Sequence, residues 1–508
     1  MSLLVALLGL SVASLSTAAD GPVVVTRAGA VRGSAGYPEV YRGIPYAAPP
    51  VGRLRWHAPM PAKHWAGVRD GTRFGNDCMQ APWIVSSGVP FSEDCLTLNV
   101  WTPAHGAGLR RPVIVYLYGG GFIGGSGAYA LYDGGALARE GVIVVNLNYR
   151  VGVLGFLAHP ALAAESPRRA SGNYGLMDQI AALEWIQRNI AAFGGDPTRV
   201  TIFGESAGAV SVAMLLVSPR AKGLFQTAIL QSTTVPWLSG KADAEAAGAR
   251  LGADIEALRK VPAEQLLAHN FDFFPHSSYE FLDLEFPSPT IDGDLISEQP
   301  RSAFARGAIN PAVVVVGYNA DEGGMFMPAD RKQTKASYEA WATKHFQALA
   351  PAVLAVTPAL DDAVAQGAMS AVLGDAVFNE SGRMVARAAA RAGLRTYAYL
   401  FTKSVANRPP VPWHSESVRY VFGTLDAGGF VPWRPAADAG DHILSRTMRR
   451  YWARFATRGD PNGAGLPHWP AYDPLTDPYL EFSEPVRAGA GFRREALDLA
   501  ERYWGEAR

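Results

Sequence analysis

Apolar residues along this chain follow two rhythms. Through the first half, short continuous runs of Val, Ile, Leu and Tyr alternate with longer stretches in which apolar positions recur every three or four residues. "RPVIVYLYGGG" and "GVIVVNLNYR" are unbroken apolar runs that end in glycine or polar residues, as strands buried on both faces do. "DQIAALEWIQRNIAAFGG" puts Ile180, Leu183, Ile186, Ile190 and Phe193 on one helical face and stops at Gly194 and Gly195. A strand "RVTIF" then leads into a helix "AVSVAMLLV", and "KGLFQTAILQS" ends in another strand. Further strands are predicted at "AVVVVGYN" and "TYAYLFTK". Strands alternating with helices predict an α/β fold, a doubly wound and mostly parallel sheet covered on both faces.

Two regions break the alternation. Residues 241–290 and 332–394 are rich in Ala, Leu and Arg at helical spacing, which predicts helical insertions packed beside the sheet. There is no internal repeat and no low-complexity linker, so residues 20–508 are expected to form a single domain with helical excursions. The opening "MSLLVALLGLSVASLSTAAD" is an apolar stretch closing on small residues, the pattern of a secretory signal cleaved near Ala19, although a basic residue at its start is missing. An amphipathic or membrane-anchoring start is the alternative. No later apolar run reaches the length of a membrane span. The expected product is a secreted or periplasmic protein with no stable membrane span after cleavage.

Charge narrows the partners. Of 508 residues, 46 are Lys or Arg and 46 are Asp or Glu, for a formal net charge of +0. Such a balance supplies no electrostatic reason for nucleic acid or an anionic membrane as partner. The two cysteines, Cys78 and Cys95, lie close in sequence. In an oxidising compartment they could close a short loop, but two cysteines alone do not establish a disulfide, since buried free thiols are common.

The chemistry concentrates at "GESAG". A sharp strand-to-helix turn lifts the residue at its apex clear of the sheet edge, and the crossing leaves no room for β-carbons two positions to either side. Gly204 and Gly208 meet that need, leaving Ser206 at the end of a strand and the start of a helix. A nucleotide-binding αβ turn would also be glycine-rich, but neither of its phosphate-binding signatures occurs here. A serine hydroxyl needs a base, and the base needs an acid to orient it. In an α/β-hydrolase these follow in the order serine, acid, histidine. Glu322 follows "AVVVVGYN" and His414 follows "TYAYLFTK", where loops at strand ends would converge on Ser206; either could instead be a solvated loop residue. An attacked ester carbonyl becomes an oxyanion that needs backbone N–H donors. "YGGGF" directly follows a strand, so Gly120 and Gly121, joined by Ala207 at the helix start, are the candidate donors.

Beyond these motifs the chain resembles the type-B carboxylesterases, the family of cholinesterases, animal carboxylesterases and bacterial para-nitrobenzyl esterases. The resemblance runs through "YRGIPYAAPPVGRLRW", "SEDCLTLNVWTP", "YGGGF", "NYRVGVLGFLA", "GNYGLMDQ", "FGGDPTRVTIFGESAGA", "ADEG" and "YWARFATRGDPN". It implies an α/β-hydrolase that cleaves small-molecule carboxylic esters without cofactor or metal. It implies Ser206 as nucleophile, His414 as base, Glu322 as acid, and Gly120, Gly121 and Ala207 as oxyanion donors. A Cys78–Cys95 disulfide, ion pairs Arg55–Glu93 and Arg150–Asp178, and polar support from Glu205 and Ser232 are implied as well. For Glu205, an exposed carboxylate complementing a helix start is the equal alternative. Trp237, Met325 and Phe326 are candidate pocket walls by proximity to the motifs only, and each reads equally as ordinary core.

The chain also departs from the family. Where many members read "HGAE" after the histidine, this one reads "HSES", which puts Ser415 and Glu416 beside His414. Trp83 does not align with the choline-binding tryptophan of cholinesterases, and Asp283 and Glu285 do not match their acyl-pocket phenylalanines, so choline esters are not an expected speciality. Two other readings stay open: the same triad acting on amides, lactones or polymeric esters, and a non-catalytic binding protein on the same fold.

Overall fold

Ten strands pair into one sheet in the computed structural model, which describes residues 21–82, 87–106, 108–270, 288–327, 332–403, 412–427 and 436–506. The predicted signal segment, Trp83, Asp283, Glu285 and part of the first predicted insertion lie outside the described residues. In chain order the strands are β1 (Glu39–Pro45), β2 (Thr97–Thr102), β3 (Arg111–Leu117), β4 (Ile143–Leu147), β5 (Gly195–Glu205), β6 (Thr227–Gln231), β7 (Val313–Asn319), β8 (Thr396–Phe401), β9 (Pro478–Phe482) and β10 (Arg487–Ala490). Across the sheet they lie in the order β10-β9-β8-β7-β6-β5-β3-β4-β2-β1. The seven strands from β4 to β9 are mutually parallel; β1, β2 and β10 pair antiparallel at the edges.

The strands predicted from apolar runs are all present. Val113 to Leu117, Ile143 to Val145 and Val314 to Val316 are buried within the sheet. Helix α1 (Tyr174–Asn189) buries Ile180, Leu183 and Ile186; a 3₁₀ turn extends it through Ile190 and Phe193, and left-handed Gly194 stops it. Helix α2 (Ala207–Val217) follows β5 and packs on β3, β5 and β6.

Helices flank the sheet where the composition suggested them. Short helices cover Lys241–Ala249, Ile255–Leu258 and Ala263–Leu267. Later come α3 (Lys335–Phe346), α4 (Asp362–Gly374) and α5 (Glu380–Arg391). A π-helical turn, Asp375–Asn379, joins α4 to α5. These helices bury a second apolar cluster that includes Tyr338, Phe346, Leu373 and Phe378, shared with Trp504 on α7 (Arg494–Glu506).

The direction of winding positions everything that follows. From β3 the chain steps to β4 on one side, then crosses back to β5 on the other. Crevices in open α/β sheets form outside the carboxyl ends of strands where the order reverses in this way. The carboxyl ends of β3 and β5 carry the glycine run and Ser206 respectively.

Candidate active site

Ser206 occupies the apex of the turn from β5 into α2, with φ 56° and ψ −128°. Few side chains tolerate that backbone conformation, and it is held from both sides. The Ser206 N–H donates to the Gln231 carbonyl at 3.0 Å, and its own carbonyl accepts from the Val210 N–H at 2.9 Å. A β-carbon on Gly204 would overlap the Gly208 backbone, and one on Gly208 would overlap the Leu117 carbonyl oxygen of the neighbouring strand. The two glycines therefore serve different contacts: Gly204 lets the turn close, and Gly208 lets α2 lie against β3.

The glycine run reaches the same place from β3. An added β-carbon on Gly119 would stand 2.9 Å from that of Ser206, so the loop passes directly over the serine. Gly120 and Gly121 take φ of 111° and 59°, conformations suited to glycine. Their amides and that of Ala207 donate to no described residue. The loop is fixed from below and beside. Tyr118 and Tyr149 stack with ring centroids 4.4 Å apart, and each hydroxyl donates to the other's backbone carbonyl. Gln80 clamps Gly125, its amide donating to the carbonyl at 2.8 Å and accepting from the N–H at 2.9 Å.

His414 and Glu322 meet from separate loops. The His414 Nδ1–H donates to Glu322 Oε2 at 2.5 Å. Glu322 Oε1 accepts from the Ser232 hydroxyl at 2.7 Å and from the Asn319 N–H at 2.5 Å. Asp321 and Trp413, the preceding residues of the two loops, pair as an isolated β-bridge, which holds the loops in register. Phe378 on the π-helical turn lies with its ring 4.5 Å from the imidazole, and Phe326 lies 5.3 Å from it.

Nε2 of His414 points toward the β5 turn. It lies 3.2 Å from Glu205 Oε1 without the alignment of a hydrogen bond, and it bonds to no described residue, Ser206 Oγ included. Glu205 is 1 % exposed, which rules out the solvated helix-start carboxylate; it lies inside the site. Ser415 donates its hydroxyl to Glu205 Oε1. Burial raises the Glu205 pKa, and the attraction of His414 and the Ser415 hydrogen bond offset this only in part. For His414 burial works downward, but Glu205 and Glu322 outweigh it and lift the imidazole above its usual range.

Two of the three expected pocket walls lie just past Glu322, the carboxylate that holds the imidazole. Phe326 touches its surroundings directly, and Met325 beside it is partly buried on the same 3₁₀ turn. Trp237 packs on the second apolar cluster and lines a cavity of about 510 Å³ with Arg301, Glu380 and Trp504; Ser206, Glu322 and His414 do not line that cavity. Phe378, Asn319 and Gln80 were not singled out in the sequence. Phe378 sits in a helical stretch that reads as ordinary packing, and Gln80 reaches the site through Gly125, 45 residues away in the chain.

The implied supports are present. Cys78 and Cys95 form a disulfide. Arg55 and Arg150 make two-pronged ion pairs, the Nε–O distance to Glu93 and to Asp178 being 2.8 Å in each.

The model of the "Carboxylesterase family" matches residues 20–500. Fumonisin B1 esterase of Sphingopyxis macrogoltabida is 41% identical over 495 residues, covering 96% of this chain and 91% of its own. This chain belongs to the carboxylesterase family. Carboxylesterases of animals align as fully: cocaine esterase of Oryctolagus cuniculus is 34% identical, covering 94% of this chain and 95% of its own. Carboxylesterase 5A of Canis lupus familiaris is 33% identical over 98% of this chain and 91% of its own. As a carboxylesterase the protein is a carboxylic ester hydrolase of the α/β-hydrolase fold, acting on small-molecule esters.

Proposed function

We propose that this carboxylesterase works through a Ser206–His414–Glu322 triad and an acyl-enzyme intermediate. The observation that supports this most is the 2.5 Å contact between His414 Nδ1 and Glu322 Oε2, made by loops after β8 and β7, with Nε2 left unbonded beside the turn that carries Ser206. As Ser206 Oγ bonds to the ester carbonyl carbon, its proton passes to Nε2. The carbonyl oxygen takes the negative charge and accepts from the amides of Gly120, Gly121 and Ala207. When the intermediate collapses, the carbon–alkoxy bond breaks and Nε2 returns the proton to the departing alcohol. Water then attacks the acyl-enzyme, its proton passing to Nε2, and the acid leaves as Ser206 regains a proton. Rotation about a single side-chain bond moves Oγ without disturbing the backbone, and such catalytic hydrogen bonds tighten when substrate binds.

The experiment is Ser206→Ala, assayed on a short-acyl p-nitrophenyl ester. The variant is expected to keep its fold and lose about three orders of magnitude or more in kcat. Near-wild-type turnover would end the assignment. We further read residues 20–508 as one catalytic domain, exported to the periplasm or the medium after removal of residues 1–19. The disulfide supports that reading, as does the absence, among the described residues, of any helix long and apolar enough to cross a membrane.

A further inference from the structure

Ser415 has a left-handed backbone, φ 71° and ψ −2°, at the cap of helix α6 (Glu416–Phe422). Glycine would adopt that conformation without cost, whereas serine is strained there. No capping hydrogen bond explains the serine, because its side chain caps no amide of α6. Its hydroxyl instead donates to Glu205 Oε1, the same oxygen that stands 3.2 Å from His414 Nε2. A strained position has thus been filled by a side chain whose one described contact leads into the site.

We propose that Ser415 is a positioning residue, holding the Glu205 carboxylate against Nε2 of His414 and so setting how firmly the imidazolium is held during turnover. The inference rests on the triad reading above and adds a member to it. The geometry leaves few rivals for the role. The titratable groups facing Glu205 are His414, Glu322 beyond it, and Tyr116, Tyr132, Tyr149 and Tyr399 from the surrounding elements. Burial raises all four tyrosines far above neutrality, so they stay uncharged through the working range. The imidazole and the Glu205 carboxylate are left to carry the switchable charge. A donated hydrogen bond favours the ionised form of Glu205, and ionised Glu205 favours protonated His414. Loss of the hydroxyl therefore moves the acid limb of kcat/KM to lower pH and lowers the plateau of kcat.

Ser415→Ala and Ser415→Gly together test this. Both remove the hydroxyl, but only alanine keeps the left-handed strain, so alanine should melt lower than glycine. A kinetic change shared by the two cannot come from the backbone. Both variants should lose about threefold to tenfold in kcat with KM unchanged, and both should show the acid limb displaced to lower pH. In a Glu205→Gln background, Ser415→Ala should have no further kinetic effect, because the two residues act through one contact. An acid limb that stays at its wild-type position in both variants overturns the proposal. So does a loss that adds in full to that of Glu205→Gln. Ser206→Ala, run alongside, separates the two levels. If it is inactive while the Ser415 variants behave as wild type, only the Ser415 role falls; if it retains turnover, the triad and this proposal fall together.

Discussion

His414 lies between two buried carboxylates, and that placement governs its protonation. Burial by itself would keep the imidazole neutral, but Glu205 and Glu322 overcome it and raise its pKa. In the role of general base proposed for it, His414 must be neutral to accept a proton, so activity is expected to fall as pH drops through the raised value. The acid limb of kcat/KM for a p-nitrophenyl ester should therefore have its midpoint above about 6.5, the ordinary imidazole value. Replacing Glu205 with Gln removes one of the two raising charges, so the midpoint should move down, with kcat lower by about tenfold. A pH profile of the two proteins measured side by side checks both signs; a midpoint that rises in the variant would contradict this account. Strain gathers at the same residues. Ser206, Ser232 and Ser415 all have positive φ, and each is tied by a hydrogen bond to another part of the site.

Among the elements, the turn from β5 into α2 has the least tolerance. The helix lies so close to β3 that a single methyl group at Gly208 would meet the Leu117 carbonyl, and a backbone oxygen cannot move aside as a side chain can. Gly208→Ala should cost about 3 kcal/mol or more, seen as a lower thermal midpoint or loss of soluble protein. Elements differed in how plainly the chain announced them. The parallel strands stood out as unbroken apolar runs because both of their faces are covered. Strand β2 is equally buried, yet polar Asn99 interrupts its run; Asn99 donates across the sheet to Asn146 at 2.7 Å and accepts from the Gly43 N–H. Strands β9 and β10 at the far edge are partly exposed and carry no continuous pattern to find.

At the scale of the whole molecule, the disulfide acts on a loop it does not touch. Cys78 is followed two residues later by Gln80, which clamps Gly125, while Asp77 accepts a hydrogen bond from Ser126. The cross-linked segment thus holds the far side of the loop whose near side carries Gly120 and Gly121. Nearby, Arg55 joins Glu93 within this region to the carbonyl of Val261, tying the amino-terminal layer to the first helical insertion. Replacing both cysteines with serine should lower stability by about 3 kcal/mol, read as an earlier denaturant midpoint. It should also lower kcat more than it raises KM, because the loosened amides are the proposed oxyanion donors and would serve the oxyanion, not the resting ester.

The sequence alone determined the class of fold, the strands of the sheet's interior and the sharp turn bearing Ser206. Each of these is written in local order: apolar runs, helical spacing, and glycines at fixed steps from a serine. It also named Glu322, His414 and the glycine run, by their places after strands and by family resemblance. The contacts among those residues were decided by tertiary structure. Whether Glu205 is solvated or buried, that Ser415 turns its hydroxyl onto it, and that a π-helical turn presents Phe378 to the imidazole all depend on segments up to some two hundred residues apart meeting. Local pattern records which face of an element is apolar; it does not record which distant element will cover that face. The chemistry of this site lies in that second kind of information, because buried charges take their properties from neighbours the chain supplies from elsewhere.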